Sequence, residues 1–429
     1  MDNSLLAVRD INHKYIVVER SSGIDMSNFG VMYRYECKKL INKKIVWISF
    51  VICVAVIIFS QVIQMVGGYY VDGKFIDTNY NLYKDSKRYD KALSGREINK
   101  SLIEETIAAY RKIPENPDMH YTSSDEYWKY ARPYSSIFNF ISSTTRMKTS
   151  EIIESWQPSE EDLYAKRQIW LASLWEDSRL SEGEKDFWKE RESQITTPYV
   201  FQANEGYSRI LESFQTVGFF ELMFIAICLS GIFSDEHTRK TDQLILSSPL
   251  GKTKLYLAKI TAGISFAAIS TIIVFMITSV IILCIYGAGG YHAIFQFIYA
   301  GNSDPITCGQ AVIIAYGNMV ITVAIVSIFV MVLSEMLHSN IAVLAVSTVL
   351  LILPMFFSVP AQYRVLSQIW DWYPWGYLAP WNVFGNYTIS IFGHYLTPWQ
   401  AVPMIYVVLC VIIALIGKPI YERFQISGR

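Results

Sequence analysis

Gly251-Lys252-Thr253 is the stretch of this chain that comes closest to a phosphate-binding loop. Such a loop has a glycine five residues before the glycine of GK[ST], which lets backbone amides curl around the phosphates. Leu246 occupies that position here, and Pro249 removes one amide from the cradle. The tripeptide therefore does not predict nucleotide binding. Its role must be inferred from the residues around it.

The other residues that could do chemistry do not fall into a catalytic or metal-binding spacing. The six histidines are scattered, at His13, His120, His237, His292, His338 and His394. None of them forms an H-E-x-x-H pattern. Residues 67–213 contain neither a G-x-S-x-G motif nor a cysteine nucleophile. We therefore predict no catalytic, cofactor-binding or metal-binding residues in this chain.

Composition divides the chain into a water-exposed part and a lipid-embedded part. The 429 residues are 52% hydrophobic, and the formal net charge of −1 argues against a nucleic-acid partner. Charged residues crowd positions 72–212 and nearly vanish from 260–417. This asymmetry, and not the overall charge, indicates how the chain is organised.

Six long apolar runs predict an all-α polytopic membrane protein with six transmembrane helices. Each run is near the ~20 residues that a spanning helix needs, and each is free or nearly free of charge. The runs are Ile45–Val66, about Val217–Phe233, about Ile260–Tyr286, about Ala311–Leu333, Ile341–Val359 and about Val402–Gly417.

Lysine and arginine are concentrated before the first run, between the second and third, and after the last. The positive-inside rule therefore places both termini and the middle loop in the cytoplasm, and residues 67–213 outside. Capping-box spacings at Ser94–Glu97 and Ser181–Glu184, with helical patterns at 97–113 and 160–177, predict a mainly helical outer domain. The predicted layout is a leader with an elbow helix at 1–44, helix 1 at 45–66, the outer domain at 67–213 and helices 2–6 at 214–429.

A second outer segment, residues 360–400, is dense in Trp and Tyr. Such rings favour the membrane–water boundary, so the segment is either an anchor belt or a partly re-entrant outer gate. Glu221 is the one carboxylate well inside a predicted span, and it either serves the substrate path or reaches water near the outer surface. The candidates for a substrate path are Glu221, Asn318, Trp375 and Trp381.

Residues 230–260, SGIFSDEHTRKTDQLILSSPLGKTKLYLAKI, resemble the loop between the second and third helices of the ABC-2 type permeases. That family typically shows Phe, an acidic residue, Gly-Thr, a Leu-rich helix, a Ser/Thr-Pro turn, basic residues and a Lys entering the third helix. The matching residues are Phe233, Asp235, Glu236, Thr241, Leu244, Leu246, Ser248, Pro249, Lys252, Lys254 and Lys259. Lys240 stands in place of the usual glycine. Residues 31–48 look like the family's amphipathic elbow helix.

The resemblance implies that this chain is the permease subunit of an ATP-binding-cassette exporter, and not itself an enzyme. In the family this loop, residues 234–259 here, carries the coupling helix that docks on a separate ATPase. The implied docking residues are Asp235, Glu236, Thr241, Leu244, Leu246, Ser248, Pro249, Leu250, Lys252 and Lys254. The elbow helix would contribute Tyr33, Tyr35, Glu36, Lys38 and Lys39, and residues 334–340 would form a smaller second contact. The alternative for the loop is an ordinary basic segment held near anionic lipid.

The resemblance also implies the partners and the setting. Two ATPase copies would bind ATP and magnesium, so this chain would bind no cofactor, and a second permease chain would pair with it among the lipids of a bacterial cell membrane. The large outer domain is similar to the branch that exports sodium, drugs and antimicrobial peptides. A peptide, lipid-like or drug cargo is expected by fold-level analogy. The rival hypotheses are a membrane-anchored extracellular enzyme and a sensor of an extracellular peptide antibiotic.

Overall fold

The computed structural model describes residues 6–9, 15–18, 26–114, 120–154, 156, 160–238, 253–360 and 362–423. The helices within these residues are α1 Met26–Ile41, α2 Lys44–Val62, α3 Asn79–Leu93, α4 Lys100–Tyr110, α5 Ser135–Thr145, α6 Thr149–Glu154, α7 Glu160–Asp177, α8 Glu182–Glu192, α9 Glu205–Leu229, α10 Gly231–Thr238, α11 Thr253–Tyr286, α12 Cys308–Leu337, α13 Asn340–Ile352, α14 Arg364–Asp371, α15 Pro380–Val383 and α16 Pro398–Arg423.

Three two-stranded antiparallel hairpins complete the described secondary structure. They pair β1 Leu6–Arg9 with β2 Tyr15–Val18, β3 Gly68–Val71 with β4 Lys74–Thr78, and β5 Ile389–Ile391 with β6 His394–Leu396. No hairpin joins another in the described part of the chain, so the fold is helical, as the apolar runs predict.

Within the described residues, five helical segments are long and apolar enough to cross a membrane. They are α2 with the turn that follows it, α9 continuing into α10, α11, α12 and α16. The fifth apolar run instead forms the shorter α13, which gives way to a 3₁₀ turn at Leu353–Phe356. Pro354 explains the change, because proline has no amide to donate and its ring clashes with the preceding turn. The all-α polytopic fold is confirmed, whereas the count of six full spans stays a prediction.

Two of the spans form the centre of the membrane bundle. The apolar stretch of α9–α10 is 72% buried and that of α12 is 61% buried, against 22% for α2 and for α16. The outer spans therefore expose apolar side chains such as Val51, Phe59 and Val411. An apolar face of this extent suits lipid or another apolar protein surface.

The inserted domain, residues 67–204, follows α2 and precedes α9 in the chain, and it has a hydrophobic core of its own. Ile103, Ile137 and Ile141 are fully buried there, and the rings of Tyr110 and Phe138 stack with centroids 3.7 Å apart. The predicted helix at 160–177 is confirmed by α7, and that at 97–113 by α4. The helix α9 begins at Glu205, so the membrane bundle starts inside the range 67–213 that the sequence assigned to the domain.

The two predicted capping boxes have different outcomes. Ser181 and Glu184 form one at the start of α8, as predicted. The box at Ser94–Glu97 is wrong, because Ser94 follows the end of α3 and Gly95 takes a φ of 91° that ends the helical path. The next helix begins at Lys100, with the side chain of Asn99 accepting from the amide of Leu102 at 3.2 Å.

The inserted domain is fixed to the loops at one end of the bundle, which we call the domain end. The buried Arg167 donates to the carbonyls of Ala300 at 3.0 Å and Asn302 at 2.9 Å. The indole of Trp188 donates to the carbonyl of Asn386 at 2.8 Å. The opposite end, where α1, the end of α10 and the start of α11 lie, is called the elbow end.

Glu184 joins the domain to the aromatic segment 360–400 by a second set of contacts. Its carboxylate accepts from the hydroxyl of Thr388 at 2.8 Å and from the guanidinium of Arg364. Burial by itself raises the pKa of Glu184, but hydrogen bonds from the Ser181 backbone, Arg364 and Thr388 outweigh it and hold the pKa below its ordinary value of 4.5. The contact therefore requires the ionised carboxylate.

We predict that acid releases this contact. A group whose pKa is lowered by folding adds stability above its unfolded pKa, and this stability is lost as the pH falls through the folded pKa. The protection of peptides around residues 181–192 and 384–390 against hydrogen exchange, measured relative to the intrinsic exchange rate at each pH, should therefore fall below pH 4.5. Glu184→Gln should show the reduced protection already at neutral pH.

Glu182→Gln provides the matched control, because Glu182 is only two residues away and its side chain is 81% exposed. It should behave like the unaltered protein across the same pH range. Equal exchange in Glu184→Gln and the unaltered protein at neutral pH would contradict the role given to this carboxylate.

Candidate functional site

A cluster of charged side chains joins three helices at the elbow end. It consists of Glu36, Lys39, Lys43, Asp235, Glu236 and Lys259, and we call it the elbow cluster. Its three cations and three carboxylates balance in formal charge. Because α1, α10 and α11 each supply members, the cluster determines how these helices sit relative to one another.

Lys259 is the centre of the elbow cluster and is 0% exposed. Its ammonium donates to Glu236 Oε1 at 2.6 Å, to the carbonyl of Ile232 at 3.0 Å and to Glu36 Oε2 at 3.3 Å. The three donors of the ammonium group thus all have acceptors. The ring of Phe233 lies 5.3 Å from the same nitrogen. A buried cation is tolerated only when acceptors and opposite charges replace its contacts with water. Because its acceptors lie on α1 and α10, Lys259 joins α11 to both of these helices.

The rest of the elbow cluster lies closer to water. Lys39 donates to Glu236 Oε1 at 2.6 Å, and Lys43 donates to Asp235 Oδ2 at 2.7 Å. The other oxygen of Asp235 accepts from Asn340 Nδ2 at 2.6 Å, which adds the start of α13. Lys39 lies in the last turn of α1, where a positive charge also suits the helix dipole.

Serine hydroxyls connect α10 to α12 beside the elbow cluster. Ser334 Oγ donates to the carbonyl of Ser230 at 2.5 Å and accepts from the amide of Ser234 at 3.1 Å. All three serines are buried, and close approach of small polar residues is typical of packed membrane helices. Residues 334–340 therefore contact the same helix end as the elbow cluster.

The structure describes only part of the sequence-predicted docking set. Thr241, Leu244, Leu246, Ser248, Pro249, Leu250 and Lys252 lie outside the described residues. Asp235, Glu236 and Glu36 are members of the elbow cluster, and Lys39 joins them. Tyr33 and Lys254 are half-buried, and Tyr35 and Lys38 are exposed. Their predicted contact with a partner is untested by the fold.

Two cluster members, Lys43 and Lys259, were missing from the sequence-predicted site. Lys43 counted there only as a positive charge, and Lys259 only as part of the loop pattern. The sequence did contain a sign that Lys259 is special, because it is a lone cation at the start of a long apolar run. A charge buried in such a run usually has a partner of opposite charge. One of its two carboxylate partners, Glu36, could not be read from the sequence because it is 223 residues away.

The candidates for a substrate path contact different neighbours. Glu221 is 0% exposed and accepts from Ser270 at 2.7 Å and Thr271 at 3.1 Å, so it bridges α9 and α11 and does not reach water. Asn318 accepts from the hydroxyl of Tyr377. Trp375 is half-buried against Phe219, and Trp381 is 58% exposed.

An apolar cavity of about 540 Å³ lies elsewhere in the bundle. Its wall comes from α12, α13, α16 and residues 369–374. Leu351, Tyr373 and Tyr406 are among the lining residues, and most of the wall is aliphatic or aromatic. Its volume lies within the range of about 300–1,000 Å³ that is usual for ligand sites.

Residues 31–416 match the model of the ABC-2 family transporter proteins. The match runs from the elbow helix into the last span, so the chain belongs to this family. The family provides the membrane component of ATP-binding-cassette transporters, which work with an ABC ATPase. The resemblance seen in the loop is thereby confirmed for the family, and the chain is a multi-pass membrane protein. A comparison with curated proteins finds no match.

We predict that Lys259→Met destabilises the protein strongly. Removing the ammonium leaves Glu36 and Glu236 buried with less compensation, which typically costs about 3–5 kcal/mol. Lys43→Met removes a cation whose pair with Asp235 is about one-fifth exposed, and should cost about 1 kcal/mol or less. Thermal unfolding of both variants in the same detergent gives the comparison.

A double variant, Lys259→Met with Glu36→Gln, separates the ion pairs from the packing. If buried charge causes the loss, the double variant should be less destabilised than the sum of the two single changes. Additive losses, or equal effects of the Lys259 and Lys43 changes, would refute the central role of Lys259.

Proposed function

We propose that this chain is the permease subunit of an ABC exporter in a bacterial cytoplasmic membrane, with its elbow end in the cytoplasm. A separate ATPase, in two copies, would dock on residues 234–254, with further contacts from α1 and from residues 334–340. ATP binding and hydrolysis on that partner would supply the force. A second permease chain, identical or related, would complete the pathway.

The elbow cluster is the observation that carries this proposal. The predicted docking segment leaves α10 at Thr238 and enters α11 at Thr253. Glu236 lies in α10 and Lys259 lies in α11, on either side of residues 239–252, and the two side chains are bonded to each other at 2.6 Å. A force applied to the segment would therefore act on two spans at once, through α10 and α11.

Glu36 and Lys39 extend the same connection to α1, which leads into the first span. Since α1 is joined to α10 and α11 by ion pairs, it would move with them. Docking and movement can then involve three helices that are far apart in sequence. An ordinary basic loop at a lipid surface would not need a buried, charge-balanced joint behind it.

Charge distribution supports the proposed orientation. Arg34, Lys38, Lys39, Lys43 and Lys44 all lie in or directly after α1 at the elbow end. Lysine and arginine beside the ends of spans favour the cytoplasmic side. In the proposed orientation the elbow cluster would lie within reach of a cytoplasmic ATPase, and the inserted domain would lie on the outer face.

The apolar cavity supports a lipid-like or drug cargo among the expected classes. Its lining is predominantly apolar, and Ser347 is one of the few polar side chains in it. Such a wall offers burial to an apolar molecule and few hydrogen bonds to a highly polar one. The exposed apolar faces of α2 and α16 leave room for lipid and for a second permease chain.

We predict that an ABC ATPase co-purifies with this chain in mild detergent. Leu250→Asp and Lys252→Glu should each remove most of it, because they place negative charge in the predicted docking segment. Lys100→Glu is the matched control, since its side chain is 64% exposed on the inserted domain, far along the chain from the segment. Quantitative mass spectrometry of the purified material measures the ratio of ATPase to permease.

Loss of the ATPase in the two segment variants but not in Lys100→Glu would support docking at this segment. An equal ATPase ratio in all four proteins would exclude it. If no ATPase accompanies the unaltered protein in several detergents, the sensor hypothesis gains weight. Its ligand should then be sought in the domain-end cavity of about 590 Å³ lined by Lys87, Asp90 and neighbouring residues.

A further inference from the structure

Three metal-ligating side chains come together at the elbow end, outside the elbow cluster. They belong to His237, Glu335 and His338, and one ligand atom from each lies within 4.8 Å of the others. His237 Nε2 is 3.0 Å from Glu335 Oε2, and the two imidazole rings are 4.1 Å apart. The histidines are scattered in the sequence, and only the fold brings these three side chains together.

The helix ends explain why these three residues meet. His237 lies in the last turn of α10, and Glu335 lies in the last turn of α12. His338 follows α12 with a φ of 51°, a left-handed conformation that turns the chain back at the helix end. Glu335 and His338 are three residues apart, a spacing that places a carboxylate and an imidazole on one side of a helix.

Glu335 has an unusual environment for a carboxylate. It is 1% exposed, and only one of its oxygens is occupied by the bond with His237. Within the described residues, the other oxygen, Oε1, is buried without a hydrogen-bond partner. Leaving a buried carboxylate oxygen unpaired is costly, so the site has capacity for a further positively charged or donating group.

From this geometry we propose that His237, Glu335 and His338 bind a divalent transition-metal ion of the Zn²⁺ class. Two imidazole nitrogens and one carboxylate oxygen are ligands that Zn²⁺ accepts, with water in the fourth position. Bonds of about 2.0–2.1 Å place tetrahedral ligands ~3.3 Å apart. His237 and Glu335 are already near this separation, and the exposed His338 would close the remaining distance by rotating its side chain.

A bound ion would clip α10 to the turn between α12 and α13. His237 is two residues before the segment 239–252. The ion would therefore hold the start of that segment against residues 335–338. The consequence for coupling rests on the proposed function, because it requires that an ATPase push on this segment. The metal site itself does not depend on it.

The test is Zn²⁺ binding to the full-length chain, purified in detergent with a tag free of histidine and stripped with a chelator. Isothermal titration should show one site per chain for Zn²⁺, and Mg²⁺ should not compete at the same concentration. Co²⁺ in place of Zn²⁺ should give the visible absorption of a tetrahedral nitrogen–oxygen site. Zn²⁺ should also raise the midpoint of thermal unfolding, since it binds the folded state.

Glu335→Gln and His338→Ala should each weaken Zn²⁺ binding by at least about 10- to 100-fold, the loss usual even for residues that only support a ligand. His394→Ala, which changes an exposed histidine at the domain end, should bind like the unaltered protein. His338 is itself exposed, so its variant remains informative if the Glu335 variant fails to fold.

Failure of the unaltered protein to bind Zn²⁺ would overturn the proposal and leave these side chains as a hydrogen-bonded helix cap. Unchanged affinity in His338→Ala would overturn it as well, by placing the ion elsewhere. Because these measurements use no ATPase, they stand or fall separately from the pull-down.

Discussion

The ammonium group of Lys259 is the constraint on which the elbow end depends. A positive charge with no exposure to water must be neutralised and given acceptors, or the chain must fold otherwise. The acceptors come from α1 and from both the backbone and a side chain of α10. Satisfying one cation therefore determines where three helices meet, although the residues involved are spread over most of the first 259 positions.

The domain end follows the same physical rule with different residues. Arg167 is buried and satisfied by two backbone carbonyls and Glu192, and Asp304 is 0% exposed and paired with Arg191 at 2.6 Å. Between these two polar layers the spans pack through apolar side chains, with few polar contacts such as those of Glu221. Apolar packing alone is permissive about register, so we expect the two charged ends to contribute to the specificity of the helix arrangement.

The sequence predicted most accurately the features that depend on local chemistry. The apolar runs, the helix at 160–177 and the cap at Ser181 each follow from neighbouring residues, and each is seen. The cap at Ser94 failed because Gly95 takes a left-handed conformation that the Ser-x-x-Glu spacing does not reveal. The fifth apolar run forms only a short α-helix because hydrophobicity continues past Pro354 while the α-helix does not, and the count of six spans stays a prediction.

The group of His237, Glu335 and His338 shows a different limit. Its members lie about 100 residues apart and meet only because α10 and α12 end at the same level of the bundle. No local pattern contains that information, apart from the Glu-x-x-His spacing of two of them. The same holds for the elbow cluster, where each charge looked like a surface residue until its partner from another helix was placed beside it.

The combined length of α9 and α10 determines how the two ends of the bundle are connected. The two helices form a continuous stretch of 34 residues, with Ser230 between them in helical conformation. At 1.5 Å per residue this stretch is ~51 Å long, well beyond the ~30 Å of a membrane's hydrocarbon core. It reaches from the inserted domain at one end to the elbow cluster at the other. The Ser334 hydroxyl stands between the carbonyl of Ser230 and the amide of Ser234, where the backbone bond of a regular helix would run, so the stretch has a joint near the elbow end. The two faces of the membrane therefore share one mechanical element, and a tilt at one end reaches the other through that joint.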